Sequence, residues 1–570
     1  MAGLLGALGS ALQPVGDALG STVGTLADTV DQTVGTLGNT VDQVGSAANG
    51  VLGVIGIDQA RGPFQQCIAQ ALSGDSGRYA FPTDLLFDLT DLHLYNLDHP
   101  VTPAAITYPN NVQEVSSIVV CASQYGVAVQ GRSGGHSYDN NGLGGMDGSC
   151  SIDFRNMKDF NYNEGDQTVT FGPGNLLRDL DRQLALIDRV MAYGVVGEIG
   201  TGGHMTIGGL GPLSRLLGTA TDQIVSVQAV LASGEIVQAN TFENPDLFFA
   251  IRGAAWSFAL VTEFTMITSP APSQVVSYQY NITIAPGNAA VLADTFKSWQ
   301  RFISNPNLSR LFASTLTLTN DVLIFSGTYF GDEASFNQLN IEVDVLGVAI
   351  GLGITSRVVT TVVHELVDLI TNLVGAIPAH FYSKSLKVTP QTLWPDTAVD
   401  AIFAYIDTTP KGTPLYFLVW DLNGGAIAAV PQGATAYWHR DALYFLQTYV
   451  IDLAGPVSPT SYAFLNGLNA YIQSLVPGID DSAYPGYVDD QLGDYLTAYW
   501  GGNVERLVSV KGRYDPGNVF RNPQSVPSPF GGRQGAAPLP EGTPRGNLGP
   551  LTGILKEKRA RAHLGRRHHV

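Results

Sequence analysis

Basic residues are scarce in this chain, which has 30 Lys and Arg against 49 Asp and Glu in 570 residues and a formal net charge of −19. Because nucleic-acid binding depends on Lys and Arg that neutralise phosphates, this balance argues against a nucleic-acid partner. Only three cysteines occur, too few for a disulfide scaffold or a cysteine-rich metal site. No uncharged apolar run reaches the ~20 residues of a membrane helix. We therefore expect a soluble protein without a metal site.

Glycine and proline, by contrast, are plentiful, with 65 and 31 residues, and 45% of the chain is hydrophobic. This composition indicates many tight turns between short elements around a large core. Residues 1–60 repeat an L/V-x-x-T/V-x-x-V rhythm broken by glycine, which predicts a frayed amphipathic helix or a propeptide-like leader. Residues 526–570 are rich in Gly, Pro and Arg, and we expect a disordered tail there.

Between these ends the hydrophobic pattern predicts two lobes. Residues 61–270 alternate short β-branched runs with helical stretches, as in a mixed α/β lobe. Residues 271–477 contain longer strand candidates flanked by helical segments, as in a second sheet that carries helices, and 478–525 form a turn-rich last piece. Strands are predicted at 104–108, 127–130, 168–171, 224–231, 275–284, 322–329 and 414–421, and a helix at 111–125.

Two glycine-rich runs stand out, QGRSGGHSYDNNGLGG at 130–145 and GVVGEIGTGGHMTIGGLG at 194–211. Adjacent glycines after a strand let backbone N–H groups approach an anion closely, which is a common way to hold a pyrophosphate. The first run therefore predicts a phosphate loop, and the second could supply the other side of a long dinucleotide site.

Three rival motifs are incomplete. The run Gly172-Pro-Gly174 lacks the third glycine of a Rossmann fingerprint. Gly131-Arg-Ser133-Gly-Gly135 matches the nucleophile elbow of serine hydrolases, but the turn-forming sequence SYDNNGLGG replaces the helix that this motif needs. His364-Glu-Leu-Val-Asp368 has Asp where a zinc site would have its second His, so we assign His364 a structural place on a helix face.

Five blocks in order carry a family resemblance: PAAITYPNNVQEVSSIVVCASQYGV, SGGHSY (133–138), IGTGGHMTIGGLG, DLFFAIRGAAWSFALVTEF (246–264) and YDPGNVFRNPQS. Over residues 61–525 the chain resembles the berberine-bridge-enzyme-like flavoproteins, and among them the fungal glucooligosaccharide and chito-oligosaccharide oxidases most. This implies a two-lobed α+β fold with a vanillyl-alcohol-oxidase/PCMH-type FAD-binding domain (61–270, completed by 478–525) and a substrate domain of antiparallel sheet covered by helices (271–477). FAD should lie between the lobes, where clefts usually occur.

By the same resemblance, His136 is similar to the histidine whose ring nitrogen bonds covalently to the flavin methyl carbon. Many relatives form a second bond through a cysteine, but Val196 stands at that place, so the attachment should be single. Ile199 stands where many family oxidases have Val, and bulkier residues there are associated with poor oxygen reactivity. The other residues expected to bind FAD are Arg132, Ser133, Gly134, Gly135, Ser137, Gly200, Thr201, Gly202, Gly203, Val261 and Asn518.

For catalysis the family needs a base that removes a hydroxyl proton while hydride leaves the adjacent carbon for the flavin. Tyr487 is similar to the tyrosine of the family's N-Y-x-D motif, although Gly486 replaces its Asn. A tyrosine with a pKa of about 10 is a poor base unless its neighbours assist proton loss. Asp421 looks like the acidic partner that accepts its hydrogen bond, and Tyr138 like a second phenol at the substrate.

Other residues near these motifs receive structural roles. His204 is expected to be buried behind the site, and His439 to be a structural residue of an H-R-x-x-L helix with Gln447 in the same segment. Ala255 and Ala259 occur where relatives usually have Gly, and we expect them in a strand near the flavin, on the adenine side.

The resemblance implies oxidation of an alcohol: the anomeric hydroxyl of an oligosaccharide is oxidised to a lactone, and the flavin is reoxidised by oxygen or another acceptor. A second hypothesis makes the substrate a secondary metabolite. A closed apolar pocket would favour that hypothesis, whereas an open, aromatic-rich polar groove would favour sugars. A third hypothesis is a non-catalytic carbohydrate-binding or storage protein.

The cysteines bear on localisation. The resemblance pairs Cys67 with Cys121 in a disulfide near the start of the FAD lobe and leaves Cys150 free. A disulfide implies an oxidising compartment, and sequons at Asn281 and Asn307 permit glycosylation. We expect secretion, although no basic residue occurs in the first 60 residues and the signal as written is weak.

Overall fold

The computed structural model describes residues 61–531, except for residues 85, 284–288, 321, 348–352, 362 and 365–377. The predicted leader (1–60) and residues 532–570 of the predicted tail lie outside the described residues. Val526, where we expected disorder to begin, is buried, and its N–H donates a 3.0 Å hydrogen bond to the Ser257 hydroxyl. The tail boundary was therefore predicted too early, because the apolar Val526 side chain joins the core of the first lobe.

The strands of the described chain lie in four sheets. Their bounds are β1 (Tyr79–Ala80), β2 (Ala105–Thr107), β3 (Val129–Arg132), β4 (Cys150–Asp153), β5 (Phe160–Asn163), β6 (Thr168–Phe171), β7 (Arg189–Val190), β8 (Ile224–Val230), β9 (Ile236–Ala239), β10 (Leu260–Ile267), β11 (Ser269–Pro270), β12 (Val275–Thr283), β13 (Phe312–Thr319), β14 (Val322–Tyr329), β15 (Gly353–Thr361), β16 (His380–Val388), β17 (Leu415–Leu422) and β18 (Tyr444–Asp452).

The α-helices connect and cover these sheets. Their bounds are α1 (Pro63–Ala71), α2 (Phe87–Thr90), α3 (Val112–Tyr125), α4 (Leu177–Ala185), α5 (Thr201–His204), α6 (Ser214–Leu217), α7 (Pro245–Ala254), α8 (Ala289–Ile303), α9 (Glu333–Asn337), α10 (Ile341–Asp344), α11 (Asp396–Thr408), α12 (Ala426–Ala429), α13 (Pro459–Leu475), α14 (Tyr495–Trp500) and α15 (Val504–Tyr514). Short 3₁₀ turns occur at Ser76–Arg78, Asn141–Leu143, Ala220–Gln223, Ala255–Ser257 and Gly501–Asn503.

The first lobe contains a four-stranded sheet and a five-stranded sheet. One has the order β1-β2-β4-β3, with β2, β4 and β3 parallel, and the other is antiparallel with the order β5-β6-β10-β8-β9. The predicted helix at 111–125 is α3: the Asn111 side chain accepts the Glu114 N–H at its start, and Gly126 ends it at a φ of 69°. The strand predicted at 168–171 coincides with β6.

The second lobe is built on a seven-stranded antiparallel sheet of order β15-β12-β14-β13-β17-β18-β16. Residues along β12 alternate between aromatic or aliphatic side chains, such as Tyr278 and Tyr280, and polar ones, such as Ser277 and Gln279. Because successive side chains point to opposite faces, one face packs in the core with α8, α11 and α13. On the opposite face, Phe417, Val419 and Tyr449 pack in a second core cluster with Tyr138. The part of that face on β12–β15 is polar and lines a cavity.

The C-terminal segment after residue 477 returns to the first lobe. The buried Lys511 ammonium donates to the Ser257 and Phe520 carbonyls and to the Asp515 carboxylate, at 2.6–2.7 Å. The Val129 N–H of β3 donates to the Val519 carbonyl. These bonds fix the segment against the strand that leads into the first glycine-rich run.

The disulfide between Cys67 and Cys121 is present and joins α1 to α3, which confirms the pairing, and Cys150 is free and buried. None of the helices that the structure describes has the length and apolar character needed to cross a membrane. Within the described ranges, no group of three or more His, Cys, Asp or Glu side chains is arranged to hold a metal ion.

Candidate active site

The two glycine-rich runs meet back to back. A Cβ on Gly134 would lie 2.3 Å from the Gly200 nitrogen, and a Cβ on Gly200 would lie 2.0 Å from the Gly134 nitrogen. Real Cβ contacts are not that short, so this approach of two backbones requires glycine at both places. Residues of both runs line the same cavity, as the prediction of a shared dinucleotide site requires.

That cavity has a volume of about 760 Å³ and runs from the glycine-rich loops to the polar face of the seven-stranded sheet. Small-molecule and cofactor sites occupy roughly 300–1,000 Å³. Most residues predicted to bind FAD line it, namely Arg132, Ser133, Gly134, Gly135, His136, Ser137, Val196, Ile199, Gly200, Gly202, Gly203 and Val261. Its size and its glycine-lined walls fit a dinucleotide.

His136 lies in the first loop, with its ring 4.6 Å from that of Tyr95. Burial, together with the cations Arg132 and Arg178, lowers the pKa of His136 to about 4. The imidazole is therefore neutral at pH 7, and its buried Nδ1 has no hydrogen-bond partner among the described residues. A neutral ring with an unpaired nitrogen fits a covalent or hydrogen-bonded partner that occupies the cavity.

Arg132, Ser133 and Ser137 hold the same loop in place. The Arg132 guanidinium donates a hydrogen bond of 2.5 Å to the Asp153 carboxylate, and the Ser133 hydroxyl donates one to the Pro173 carbonyl. The Ser137 hydroxyl accepts the N–H of a residue in the following turn at 3.1 Å. These bonds use side chains that also line the cavity, so the loop is preorganised rather than shaped by its ligand.

The second loop carries Val196 and Ile199, and His204 supports it. The His204 Nε2 accepts the Gly194 N–H at 2.9 Å, so its remaining proton is on Nδ1. Burial lowers the pKa of His204 to about 4, which keeps the ring neutral. Val196 is buried in the cavity wall. His204 is buried, as predicted, but it also lines the cavity and so does not lie wholly behind it.

Two residues predicted to bind FAD do not line the cavity. The Thr201 hydroxyl is buried and donates to the Asn175 carbonyl, because Thr201 begins α5 and faces the neighbouring loop. Asn518 is a buried residue at φ 55° in the turn that follows α15, where its carbonyl accepts a bond from Arg521. Both residues therefore support the fold behind the site.

Ala255 and Ala259 do line the cavity, but they are not in a strand. Ala255 begins a 3₁₀ turn, and Ala259 lies in the link before β10. The turn forms because the Ala255 carbonyl accepts the Phe258 N–H, which delays the strand to residue 260. The predicted strand position was thus a few residues too early.

Three chain regions bring together the residues that we predicted to be catalytic. Tyr487 belongs to the C-terminal segment, and its hydroxyl donates a hydrogen bond of 3.2 Å to one carboxylate oxygen of Asp421 in β17. The other Asp421 oxygen accepts the Thr315 hydroxyl at 2.9 Å. The Tyr138 ring, from the first glycine-rich loop, stacks on Tyr487 with centroids 6.3 Å apart, and its oxygen accepts the Gln447 amide at 2.9 Å.

The electrostatics of this cluster keep both phenols protonated. Burial, and then the charge of Asp421, raise the pKa of Tyr487 well above its ordinary value. Burial also raises the pKa of Tyr138, against the opposing hydrogen bond from Gln447. At neutral pH Tyr487 is thus a hydrogen-bond donor to a carboxylate, which is the arrangement of a proton relay.

The cavity floor beyond this cluster is the polar face of the seven-stranded sheet. Residues from β12, β13, β14 and β15 line it, and most carry hydroxyl or amide groups: Ser277, Gln279, Asn281, Thr315, Ser326, Thr328, Thr355 and Arg357. One of these floor residues, Asn281, is the asparagine of the first glycosylation sequon, and its side chain accepts a hydrogen bond from Gln279 within the strand. The asparagine of the second sequon, Asn307, is exposed.

Comparisons with known proteins agree with this geometry. An FAD binding domain model matches residues 103–240, and a berberine and berberine-like model matches residues 483–527. The FAD-linked oxidoreductase sorD of Penicillium rubens is 35% identical over 82% of this chain and 99% of its own. The chain belongs to the berberine-bridge-enzyme-like FAD-linked oxidoreductases.

Carbohydrate oxidases are also among the relatives of this berberine-bridge-enzyme-like protein. The chitooligosaccharide oxidase of Gibberella zeae is 32% identical over 76% of this chain and 89% of its own. The solved xylooligosaccharide oxidase from Myceliophthora thermophila superposes with a TM-score of 0.74 at 26% identity, covering 82% of this chain and 99% of the other. A solved glucooligosaccharide oxidase from Acremonium strictum has a TM-score of 0.73 at 27% identity, with 82% and 99% covered.

Two histidines of this berberine-bridge-enzyme-like chain lie outside the helices in which we expected them. His439 is buried, as expected of a structural residue, but it precedes β18 in an irregular segment, and Gln447 is in that strand. The run YFLQTYVID favours a strand through its aromatic and β-branched residues. His364 lies in a turn with Nδ1 2.8 Å from Asp181, and Asp368 is outside the described residues.

Sequence reasoning missed three residues at the site. The Tyr95 ring packs against His136 at a tilt, Thr315 bonds to Asp421, and Gln447 bonds to Tyr138. For Thr315 the alternation in TLTLT was the available signal, because it marks a strand with one polar face. Their assignment to the site needs the pairing of distant strands, which the sequence alone did not provide.

Proposed function

We propose that this FAD-linked oxidoreductase oxidises a CH–OH group, and that its substrate is the anomeric hydroxyl of an oligosaccharide, which becomes a lactone. The observation that carries the proposal is the Tyr487–Asp421 hydrogen bond, in the same cavity as His136 and the glycine-rich loops. A phenol backed by a carboxylate supplies proton removal, and the loops supply a dinucleotide site.

The flavin would be held by the two glycine-rich loops and attached through His136 alone. Support comes from the neutral ring and unpaired Nδ1 of His136. The glucooligosaccharide oxidase from Acremonium strictum is described with a 6-S-cysteinyl, 8α-N1-histidyl FAD. Val196 has no sulfur for a cysteinyl bond, so only the histidyl bond carries over. When bound, the flavin accepts the hydride from the substrate carbon and later passes its electrons to oxygen or another acceptor.

The proton leaves by a relay. The substrate hydroxyl gives its proton to the Tyr487 oxygen while the Tyr487 proton passes to Asp421, so the phenol is regenerated and the carboxylate becomes a carboxylic acid. A direct phenolate is disfavoured, because burial and Asp421 raise the pKa of Tyr487. Tyr138 accepts a bond from Gln447, which leaves its own O–H to donate to a substrate oxygen.

The polar floor of the cavity supports a sugar. Hydroxyl and amide groups on adjacent strands can each bond to a hydroxyl of an extended, hydroxyl-rich ligand. A secondary metabolite is the second candidate. It is favoured by the identity to sorD, whose name specifies no carbohydrate.

The test is anaerobic mixing of the purified holoenzyme with a panel of mono- and oligosaccharides while flavin absorbance is followed. Bleaching by one sugar class supports the proposal even if reoxidation by oxygen is slow. A yellow protein that no sugar bleaches moves the substrate to the secondary-metabolite class. A Tyr487→Phe variant that still binds the ligand but no longer bleaches separates an enzyme from a carbohydrate-binding protein.

The attachment has its own test, because a covalent flavin stays with acid-precipitated protein. Yellow pellets from the wild type and a yellow supernatant from His136→Ala are expected. Yellow supernatants from both proteins would contradict the covalent bond.

We also propose secretion, which is supported by the Cys67–Cys121 disulfide and the exposed sequon at Asn307. Absence of the protein from the culture medium of its producing cells would contradict secretion.

A further inference from the structure

One row of side chains crosses the seven-stranded sheet from the reacting end of the cavity to its edge strand. Directly opposite residues in five adjacent strands form it, in the order Asp421, Thr315, Ser326, Gln279 and Arg357. All five residues line the cavity. Because directly opposite residues project from the same face of a sheet, the row is one continuous strip of the floor.

The length of this strip follows from the spacing of the strands. Neighbouring strands lie about 4.8 Å apart, so four steps separate the Asp421 and Arg357 backbones by ~19 Å. The three residues between them are neutral hydrogen-bonding groups, Thr315, Ser326 and Gln279. An elongated ligand that starts at Asp421 and follows the row would reach Arg357 at its far end.

Charge distinguishes the two ends of the strip. Asp421 is the one carboxylate among the described residues that line the cavity, and the arginines there are Arg132 and Arg357. Arg132 is bonded to Asp153, whereas no carboxylate of the described chain lies within 4 Å of the Arg357 guanidinium. An exposed guanidinium without such a partner, in a protein of net charge −19, retains its attraction for an anion.

The alternative is a purely structural role for Arg357, because β15 is an edge strand and charged side chains keep edge strands from pairing with other chains. Edge protection requires no particular position along the strand. Arg357, however, occupies the position of β15 that is in register with the catalytic carboxylate. We therefore propose that Arg357 binds a carboxylate of the substrate, at the end remote from the oxidised carbon.

The substrate class that follows is an acidic oligosaccharide long enough to span the row, oxidised at its neutral reducing end. This inference rests on the proposed function, because the row starts at the residue that we place in the proton relay. The carboxylate and the guanidinium would form a charge-assisted pair, and the middle residues would bond to hydroxyl groups of the intervening sugar units.

The experiment compares cellotetraose with the tetramer whose non-reducing unit is glucuronic acid, and the two corresponding dimers. Dissociation constants are measured by difference spectroscopy of the flavin in the anaerobic holoenzyme, with bleaching followed separately. We expect the acidic tetramer to bind about tenfold more tightly than the neutral one, a preference reduced by salt. The dimers should show no preference, because they are too short to reach Arg357.

Two variants decide the cause of that preference. In Arg357→Gln the ratio of the two tetramer dissociation constants should fall to near one. In the control Arg301→Gln, an exposed arginine of α8, it should stay at the wild-type value. A ratio near one in the wild type, a ratio that survives in Arg357→Gln, or no binding of the acidic tetramer would overturn the inference. Failure of every sugar to bleach the flavin would overturn the proposed function instead.

Discussion

Replacing Asp421 with Asn should convert the proton relay into a slow direct reaction. Asp421 accepts the Tyr487 hydroxyl at 3.2 Å, and its charge is the second cause, after burial, of the raised pKa of that phenol. The Asn side chain keeps the size and one acceptor oxygen but takes no proton. Substrate could then reduce the flavin only when Tyr487 is already a phenolate.

The size of the effect follows from the pKa of Tyr487. Without the carboxylate, the pKa falls, but burial and the neighbouring Tyr138 still keep it above the ordinary value of about 10. At pH 8 at most about one phenol in a hundred is then ionised. Loss of a positioned proton acceptor costs roughly 10²–10⁴ in rate, so a reduction rate at least about 100-fold below wild type is expected at pH 8.

The assay is anaerobic stopped-flow reduction of the holoenzyme between pH 7 and 9. In Asp421→Asn the rate should rise by about tenfold per pH unit, because the phenolate fraction does. The wild type should lack that rise, since its Tyr487 stays protonated throughout. Asp441→Asn, at a half-exposed carboxylate that bonds to Lys387 outside the cavity, is the matched control. A wild-type rate in Asp421→Asn, or a low rate that does not respond to pH, would refute the relay.

Further predictions concern the flavin loop, the disulfide and a buried histidine. Ile199→Val should speed reoxidation of the reduced flavin by oxygen, as followed by the return of absorbance; an unchanged rate would show that Ile199 does not restrict oxygen. Val196→Cys should add a cysteinyl bond and raise the flavin reduction potential, which mass spectrometry and a dye-equilibration titration would detect; an unmodified cysteine would contradict the expected position of this loop. Removing the Cys67–Cys121 disulfide as a double Ser variant should lower the free energy of unfolding by about 4 kcal/mol, because the bridge closes a loop of 54 residues; a melting temperature equal to the wild type's would argue against this. Burial lowers the pKa of His439 to about 3, so the unfolded chain binds a proton that the folded chain cannot, and stability should fall as pH drops below about 6.5 by about 1.4 kcal/mol per unit for this one group. His439→Gln should therefore lose less melting temperature than the wild type between pH 7 and pH 5, and an equal loss would contradict this assignment.

Local pattern was sufficient to predict many elements of the fold. The predicted strands at 168–171 and 322–329 coincide with β6 and β14, because β-branched runs bounded by turn residues have few alternatives. The predicted helix at 111–125 coincides with α3 because Asn111 and Gly126 mark its two ends. Prediction failed near His439, where a motif suggested a helix and the strand propensity of the next nine residues prevailed.

The candidate site was predicted less evenly. Glycine runs and the resemblance identified the loop residues, but they did not show which way each side chain points, and Thr201 and Asn518 do not line the cavity. The row from Asp421 to Arg357 could not be predicted at all. It depends on the register of strands that are separated by up to about a hundred residues, and register is set by the packed face of the sheet rather than by local sequence.

The origin of the three groups that we propose to be catalytic constrains how this fold can vary. Tyr138 comes from a loop of the first lobe, Asp421 from the sheet of the second, and Tyr487 from the C-terminal segment. A small shift between the lobes would lengthen the 3.2 Å bond that the proposed relay needs, so the chemistry depends on rigid lobe packing. The outer strands of the floor, by contrast, contribute no group to that bond. If the floor binds the substrate as proposed, substitutions at Gln279 or Arg357 should change the preferred length and charge of the substrate without disturbing proton removal.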